Sequence, residues 1–122
     1  MTTFKPLEIS DISIITQMTQ DFYAIDNYPM DVEVAKTLFQ EFISNEHLGK
    51  SWLIYSENEI VGYIILTFIF SFEYGGKIAF VDELFIKENA RGKGIGKEAI
   101  QFIQKEVPKL SLKLLYLEVE PH

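Results

Sequence analysis

The chain has 122 residues, 48% of them hydrophobic and 14% aromatic, and it contains no cysteine. That length fits a single domain over residues 1–122, the aromatic content excludes a mainly disordered chain, and the lack of cysteine excludes disulfides, thiolate metal sites and a cysteine nucleophile. The net charge of −7 argues against broad, non-specific binding to nucleic acid or to an anionic membrane.

The first half of the chain predicts a strand and two helices. Residues 4–9 form a strand candidate, and apolar residues at helical spacing after the N-cap type Asp11 predict a first helix that ends at about Tyr23. A turn signal follows, and Asp31 is placed to cap a second helix that Gly49 would end.

The second half begins with strands rich in β-branched and aromatic residues. The segments 51–57 and 59–72 predict a hairpin, and residues 78–86 predict the next strand. A third helix starts at Gly94 and is ended by a proline, after which residues 113–120 predict a last strand. Because a helix joins the last strand to the one before it, those two strands should run parallel.

A basic, glycine-rich loop lies between residues 78–86 and the third helix. Glycines at alternate positions let the backbone adopt positive φ and approach a ligand closely, and the following helix offers free N–H groups and the positive end of its dipole. The loop therefore predicts a phosphate site, most simply for a diphosphate, although a turn that only reverses the chain has the same glycines. The spacing matches neither a Walker A motif nor the Rossmann fingerprint. The loop consists of Arg91, Gly92, Lys93, Gly94, Ile95, Gly96 and Lys97.

The segment VDELFIKENARGKGIGKEAI resembles the acetyl-CoA binding segment of the GNAT family of N-acetyltransferases. The family signature is Gln/Arg-x-x-Gly-x-Gly/Ala, and Arg91, Gly94 and Gly96 fill its fixed places. The predicted order, β-α-α-β-β-β-α-β, also matches the first two thirds of the family fold. The resemblance implies a mixed α/β (α+β) fold of the GNAT type, and transfer of an acetyl group from acetyl-CoA to a primary amine by direct attack.

The resemblance also implies where the coenzyme lies. The pyrophosphate would bind backbone N–H groups from Arg91 to Gly96, with Lys97 as a further contact, and the pantetheine arm would pair with the fourth strand. A strand that separates from its parallel neighbour leaves N–H and C=O groups that an amide-containing ligand can satisfy. One N–H near Phe85 would stabilise the developing oxyanion. The strand positions are Leu84, Phe85 and Ile86.

Two acidic residues are candidates for the catalytic base. Attack on the thioester needs a neutral amine, and a free alkylammonium has a pKa of about 10, so a carboxylate is expected to remove the proton. Asp82 and Glu83 lie just before the pantetheine positions, and alternation along the strand points them to opposite faces unless a bulge intervenes. Asp82 matches an acidic position in several family members, and Glu83 is its close rival. The alternative is that these acids only shape the pocket or cap a helix.

The amine acceptor, a small molecule or a peptide, is expected on the acidic side of the molecule. Residues 1–86 hold four basic and thirteen acidic side chains, whereas residues 87–122 hold seven basic and five acidic ones. The family builds its acceptor pocket in the stretch that joins the two early helices, and aromatic and carboxylate side chains suit a cationic amine. Core packing and helix capping are the alternative roles for this stretch. The candidates are Tyr23, Asp26 and Tyr28.

The family continues past the fifth strand with a helix and two more strands, and that helix often carries a tyrosine that protonates the leaving thiolate. No position of this sequence matches that tyrosine, and the last strand would present an open edge. The expected explanations are a truncated chain, a homodimer through this edge, or a catalytically impaired module that binds coenzyme A or a protein. A longer acyl-CoA donor also stays open, because the loop recognises only the diphosphate.

Metal binding and membrane insertion are not expected. The two histidines are isolated in the sequence, so they give no reason to predict a metal site. The N-terminus lacks a basic stretch followed by an apolar run, and the most apolar segment, residues 60–72, is shorter than the roughly 18–20 residues of a membrane helix. We therefore expect a cytoplasmic protein with no membrane partner.

Overall fold

The structure, a computed structural model, describes residues 1–117 and shows a mixed α/β fold with the predicted order of elements. Short 3₁₀ turns at Ile9–Asp11 and Glu88–Ala90 precede the first helix and the third. No helix within residues 1–117 is long and apolar enough to cross a membrane. The described elements are β1 (Thr2–Pro6), α1 (Ile12–Ile25), α2 (Val32–Ser44), β2 (Gly49–Ser56), β3 (Glu59–Ser71), β4 (Gly76–Ile86), α3 (Ile95–Lys109) and β5 (Leu115–Tyr116).

The described strands form one five-stranded sheet in the order β1-β2-β3-β4-β5. Neighbouring strands from β1 to β4 are antiparallel, and β5 runs parallel to β4, with Ala79 beside Leu115. The parallel pair confirms what the helical connection through α3 predicts. Of the predicted last strand, residues 115–116 are observed as a strand, and residues 118–120 lie outside the described residues.

Helices cover both faces of the sheet, because its inner strands are apolar on both sides. On one face, Ile15 of α1 and Phe39 of α2 pack in a cluster with Leu53 of β2. On the other face, Ile103 of α3 packs in a cluster with Trp52 of β2. Trp52 and Leu53 are adjacent in sequence but lie on opposite faces, as strand alternation requires. A cavity lined by Asp82 and Glu83, the two candidate bases, lies on the α1/α2 face.

A helix cap and a hairpin turn form because of residues that are close together in the sequence. Asp31 caps α2 as predicted, since its carboxylate accepts hydrogen bonds from the N–H groups of Glu33 and Val34. The hairpin between β2 and β3 turns at Glu57 and Asn58, whose φ values are 50° and 67°. Two successive positive φ values are typical of the tight turn whose twist matches that of the flanking strands.

Gly49 does not end α2, contrary to the prediction. The helix ends at Ser44, and Gly49 is the first residue of β2. A Cβ atom on Gly49 would lie 2.0 Å from the carbonyl oxygen of Leu66 and 2.7 Å from the ring of Phe42. Glycine is therefore needed at this position because β3 and α2 approach the backbone closely, and the helix ends without it.

Candidate active site

A β-bulge in β4 occurs at the two candidate bases. Val81 pairs with Leu66 of β3, and Glu83 pairs with Ile65, which directly precedes Leu66. Asp82 is therefore an extra residue with no counterpart on β3. Such an insertion increases the local twist and redirects the side chains that follow it, and bulges are frequent next to active sites.

Before the bulge, the odd-numbered residues of β4 face α3, and after it they face α1 and α2. Val81 packs in the cluster beneath α3, and Phe85 packs in the cluster beneath α1 and α2, although both occupy odd positions of one strand. Asp82 follows the alternation before the bulge, and Glu83 follows the alternation after it. Both acidic side chains consequently line a single cavity on the α1/α2 face. The separation that simple alternation predicts is removed by one inserted residue.

Two tyrosine hydroxyls hold the carboxylate of Glu83. Tyr23 of α1 donates a hydrogen bond of 2.7 Å to Glu83 Oε2, and Tyr63 of β3 donates one of 2.7 Å to Glu83 Oε1. Tyr63 is fully buried and its ring packs against Phe85, so its hydroxyl is fixed in place. Each carboxylate oxygen keeps a further lone pair that can accept a proton from a substrate. Asp82, the neighbouring acid, is exposed.

The surroundings of Glu83 raise its pKa above the ordinary value. Burial is the main cause and the negative charge of Asp82 adds to it, while the hydrogen bonds from Tyr23 and Tyr63 act in the opposite direction. Burial likewise raises the pKa of both tyrosine hydroxyls, and their contact with Glu83 adds to that effect. The tyrosines therefore stay protonated as donors, and Glu83 is a stronger base than an exposed carboxylate.

The cavity beside these acids has a volume of about 700 Å³. This volume lies within the range of small-molecule sites, roughly 300–1,000 Å³. No lysine, arginine or histidine of residues 1–117 lines it, and no group of three or more histidine and acidic side chains within those residues is arranged to hold a metal ion. The lining residues are Thr19, Tyr23, Pro29, Met30, Asp31, Val34, Ala35, Leu38, Phe39, Glu41, Phe42, Leu48, Ile65, Thr67, Asp82 and Glu83.

The structure separates the three predicted acceptor residues. Tyr23 lines the cavity and contacts Glu83, whereas Asp26 and Tyr28 lie in the exposed turn after α1 and are not among the described residues that line it. Tyr63 also contacts the candidate base, and from the sequence this residue is predicted only as part of the strand at 59–72. The ring does lie in the core, but buried tyrosine hydroxyls usually find a hydrogen-bond partner, and here the partner is the candidate base.

The predicted phosphate loop lies at the N-terminus of α3. Gly92 and Gly94 have φ values of 77° and 78°, in the left-handed region that favours glycine. The N–H of Glu98 bonds the carbonyl of Gly94, so the N–H groups of the first helical turn before it have no partner within the helix. Lys93 and Lys97 are exposed beside this helix end. The loop thus combines free amide donors with positive charge.

The glycines leave open space in front of these donors. Outside the adjoining backbone, a Cβ atom added at Gly92, Gly94 or Gly96 meets no heavy atom within 4 Å among the described residues. At Gly96 the backbone is helical and no neighbour requires glycine, so the missing side chain only keeps the helix end accessible. The donors and the space therefore fit a pyrophosphate, as the resemblance implies.

The end of β4 is joined to this loop by a hydrogen bond. Within residues 1–117, β5 pairs with β4 only at Ala79 and Phe80, and β3 is the only strand beside residues 84–86. Arg91 Nε donates a hydrogen bond of 2.9 Å to the carbonyl of Ile86, which ties the loop to the end of the strand. The predicted pantetheine positions and the predicted phosphate loop are thus adjacent.

Comparison with known proteins identifies relatives of this chain. The acetyltransferase (GNAT) family model matches residues 14–122. The crystal structure of an integron cassette protein from the mobile metagenome of Cole Harbour Salt Marsh is 34% identical in sequence and superposes with a TM-score of 0.90, covering 95% of this chain and 76% of that one. No curated protein matches the sequence.

Two further crystal structures share the fold at lower identity. Ribosomal-protein-alanine N-acetyltransferase from Brucella melitensis is 19% identical, with a TM-score of 0.82 over 98% of this chain and 81% of that one. A predicted acetyltransferase of Clostridium acetobutylicum, with acetyl-CoA, is 16% identical, with a TM-score of 0.78 over 98% of this chain and 82% of that one. At these identities the likeness supports the fold alone.

Proposed function

The chain belongs to the GNAT family of acetyltransferases, and from this premise we propose that residues 1–122 act as one domain that transfers an acetyl group from acetyl-CoA to a primary amine by direct attack. The observation that carries the proposal is the position of Glu83. Its carboxylate is held by Tyr23 and Tyr63, lines the acidic cavity, and lies just before the part of β4 that leads to the loop.

Two backbone segments would hold the coenzyme. Acetyl-CoA supplies an acetyl thioester that is already activated toward amines. The free N–H groups and the cations of the loop would bind its pyrophosphate, and the edge of β4 would bind the pantetheine as an added strand does. A backbone N–H near Phe85 is the candidate donor to the oxyanion. The proposed binding residues are Leu84, Phe85, Ile86, Arg91, Gly92, Lys93, Gly94, Ile95, Gly96 and Lys97.

We assign the role of base to Glu83. The amine arrives protonated because its pKa is about 10, and Glu83 removes a proton directly or through one water molecule. Tyr23 and Tyr63 keep the carboxylate in one orientation while it does so. The neutral amine would then attack the thioester carbon, so that the C–N bond forms, the C–S bond breaks, and coenzyme A leaves as a thiolate that takes up the second proton lost by the nitrogen. Asp82, exposed at the same cavity, attracts the ammonium and adds to the negative potential. Such proton removal contributes roughly 10²–10⁴ in rate.

An assay of thiol release tests this function. The protein is incubated with acetyl-CoA and a set of primary amines, and free coenzyme A is followed between about pH 7 and pH 9, with coenzyme binding measured separately by calorimetry. We expect amine-dependent release that rises with pH, as both the base and the amine lose protons. Coenzyme binding without release from any amine would support the second candidate, a catalytically impaired coenzyme A-binding or protein-interaction module. No coenzyme binding at all would contradict both.

We propose that the edge of β5 mediates a homodimer. Within residues 1–117, β5 is the last strand of the sheet and pairs with β4 alone, and Leu117 next to it is 47% exposed. An open strand edge is a template for pairing with another chain. Light scattering should show a mass that rises toward twice the monomer with concentration, and a constant monomer mass would overturn this proposal.

A further inference from the structure

The helix α2 turns apolar side chains toward the acceptor cavity. Val34 and Leu38, one helical turn apart, are 55% and 59% exposed although both line the cavity. Leu48, which follows α2 and also lines it, is 41% exposed. Single exposed apolar side chains are ordinary, but a group of them beside a cavity is typical of a ligand-binding surface. These side chains therefore indicate an apolar partner.

Four acidic side chains of the described residues line the cavity, and two of them lie together on β4. The bulge places Asp82 and Glu83 side by side. Asp31 also lines the cavity, but one of its oxygens already accepts hydrogen bonds from two N–H groups at the start of α2, whose dipole offsets its charge. Glu41 is exposed on α2, where water weakens an ion pair. Asp82 is exposed too, but it lies next to the half-buried Glu83, so an ammonium there meets two carboxylates. The wall of β4 is therefore the place where a single ammonium is best stabilised.

We infer that the acceptor is a small monoamine with an apolar body: its primary ammonium lies beside Asp82 and Glu83, and its aliphatic or aromatic body lies against Val34 and Leu38 of α2. This inference rests on the proposed function and narrows its substrate class. A second ammonium on the body would leave water against apolar side chains, which is unfavourable. The two other acids that line the cavity stabilise it little, because Asp31 already accepts two hydrogen bonds and Glu41 is exposed to water. Polyamines are consequently poor acceptors despite the acidic character of the first 86 residues.

A matched pair of amines tests the inference. Hexylamine and hexamethylenediamine have the same carbon chain and differ by one terminal ammonium. We expect kcat/KM for hexylamine to exceed that for the diamine by about tenfold or more, and calorimetric binding to the protein with coenzyme A to follow the same order. An equal or higher value for the diamine would overturn the inference.

A change in the α2 wall should abolish this preference. Leu38→Glu places a carboxylate where the second ammonium would lie, so the ratio of hexylamine to diamine kcat/KM should fall by about tenfold. Gln40→Glu is the matched control, because it adds the same charge to α2 at an exposed position that does not line the cavity. An unchanged ratio in Leu38→Glu, or an equal change in both variants, would contradict the assigned wall.

The two readouts separate failure of the inference from failure of the proposed function. If amines are acetylated but the diamine is preferred, the function stands and the inference is wrong. If no amine is acetylated while hexylamine binds more tightly than the diamine, the function is wrong, and the preference of the cavity for a monoamine is confirmed as a binding property alone. If neither amine reacts or binds, the inference is overturned as well.

Discussion

The two halves of the proposed site are built from different parts of the polypeptide. The pyrophosphate part of the coenzyme half, at the N-terminus of α3, offers backbone N–H groups and open space that come from one run of residues, 91–97. The acceptor half offers side chains from α1, α2, β3 and β4, and the hydrogen bond from Tyr23 to Glu83 joins residues 60 positions apart. One half is local in sequence, and the other exists only after the sheet has formed.

This difference determines which substitutions should matter. A backbone site is blocked by added bulk and is insensitive to the loss of single functional groups, because its donors belong to the main chain. A side-chain site shows the opposite behaviour, since one carboxylate performs a step that no neighbour repeats. Each half can therefore be impaired while the other is left intact, and the following variants are ordered by the size of the effect we expect.

Glu83→Gln should have the largest effect. Loss of the base is expected to lower kcat by roughly 10²–10⁴, while calorimetric affinity for coenzyme A stays unchanged because the loop is untouched. Glu59→Gln, at an exposed position at the start of β3, is the control and should leave both quantities unaltered. A variant Asp82→Asn that loses more activity than Glu83→Gln would move the base assignment to Asp82.

Gly96→Leu should act on the other half. The added side chain fills the open space at the end of α3, so affinity for coenzyme A should fall by about tenfold or more, on the order of 1.4 kcal/mol. Thermal stability should not fall, since no neighbour lies within 4 Å and leucine favours helix more than glycine does. Gln101→Leu, exposed on the same helix, is the control for added apolar surface. An unchanged affinity for coenzyme A in Gly96→Leu would show that the coenzyme does not bind at this helix end.

Tyr63→Phe tests whether the tyrosine positions the base. It removes one of the two hydroxyl donors to Glu83 and keeps the buried ring, so we expect a fall in kcat of about tenfold. Because that hydrogen bond holds the pKa of Glu83 down, its loss should raise this pKa further and shift the acid limb of the kcat profile to higher pH. A lower kcat without a shift in the acid limb of the pH profile would indicate that Tyr63 has a structural role only. Phe4→Leu is the control for a general loss of core packing.

The smallest effect concerns stability. The pKa of Glu83 is raised in the folded state above its ordinary value of 4.5. At pH values between 4.5 and the raised pKa, the folded protein therefore binds more protons than the unfolded chain. Its free energy of unfolding falls as the pH rises through that range. Glu83→Gln lacks this dependence. It should melt higher than the native protein near neutral pH, on the order of a few degrees, with the difference vanishing below the ordinary pKa. Melting curves that show the native protein gaining stability from Glu83 ionisation would contradict the burial argument.

Much of the fold could be predicted from the chain because its signals are local. Apolar spacing predicted the three helices, and the glycines of the loop predicted a turn with positive φ, which Gly92 and Gly94 confirm. The sequence predicts the wrong role for Gly49 because glycine is favoured both at a helix end and where two backbones approach closely. Only the position of the Leu66 carbonyl shows that the close approach is the reason here. The contact of Tyr63 was missed for a similar reason, since its partner lies on another strand.

The order of strands and helices and the composition of the loop follow from the amino-acid sequence alone, because periodicity, capping and glycine conformations depend on residues close together in the chain. The position of Asp82 and Glu83 in one cavity, and the convergence of Tyr23 and Tyr63 on Glu83, follow only from the folded sheet. Strand register explains the difference: one inserted residue in β4 reverses the faces of the residues that follow, and register is set by pairing between distant strands.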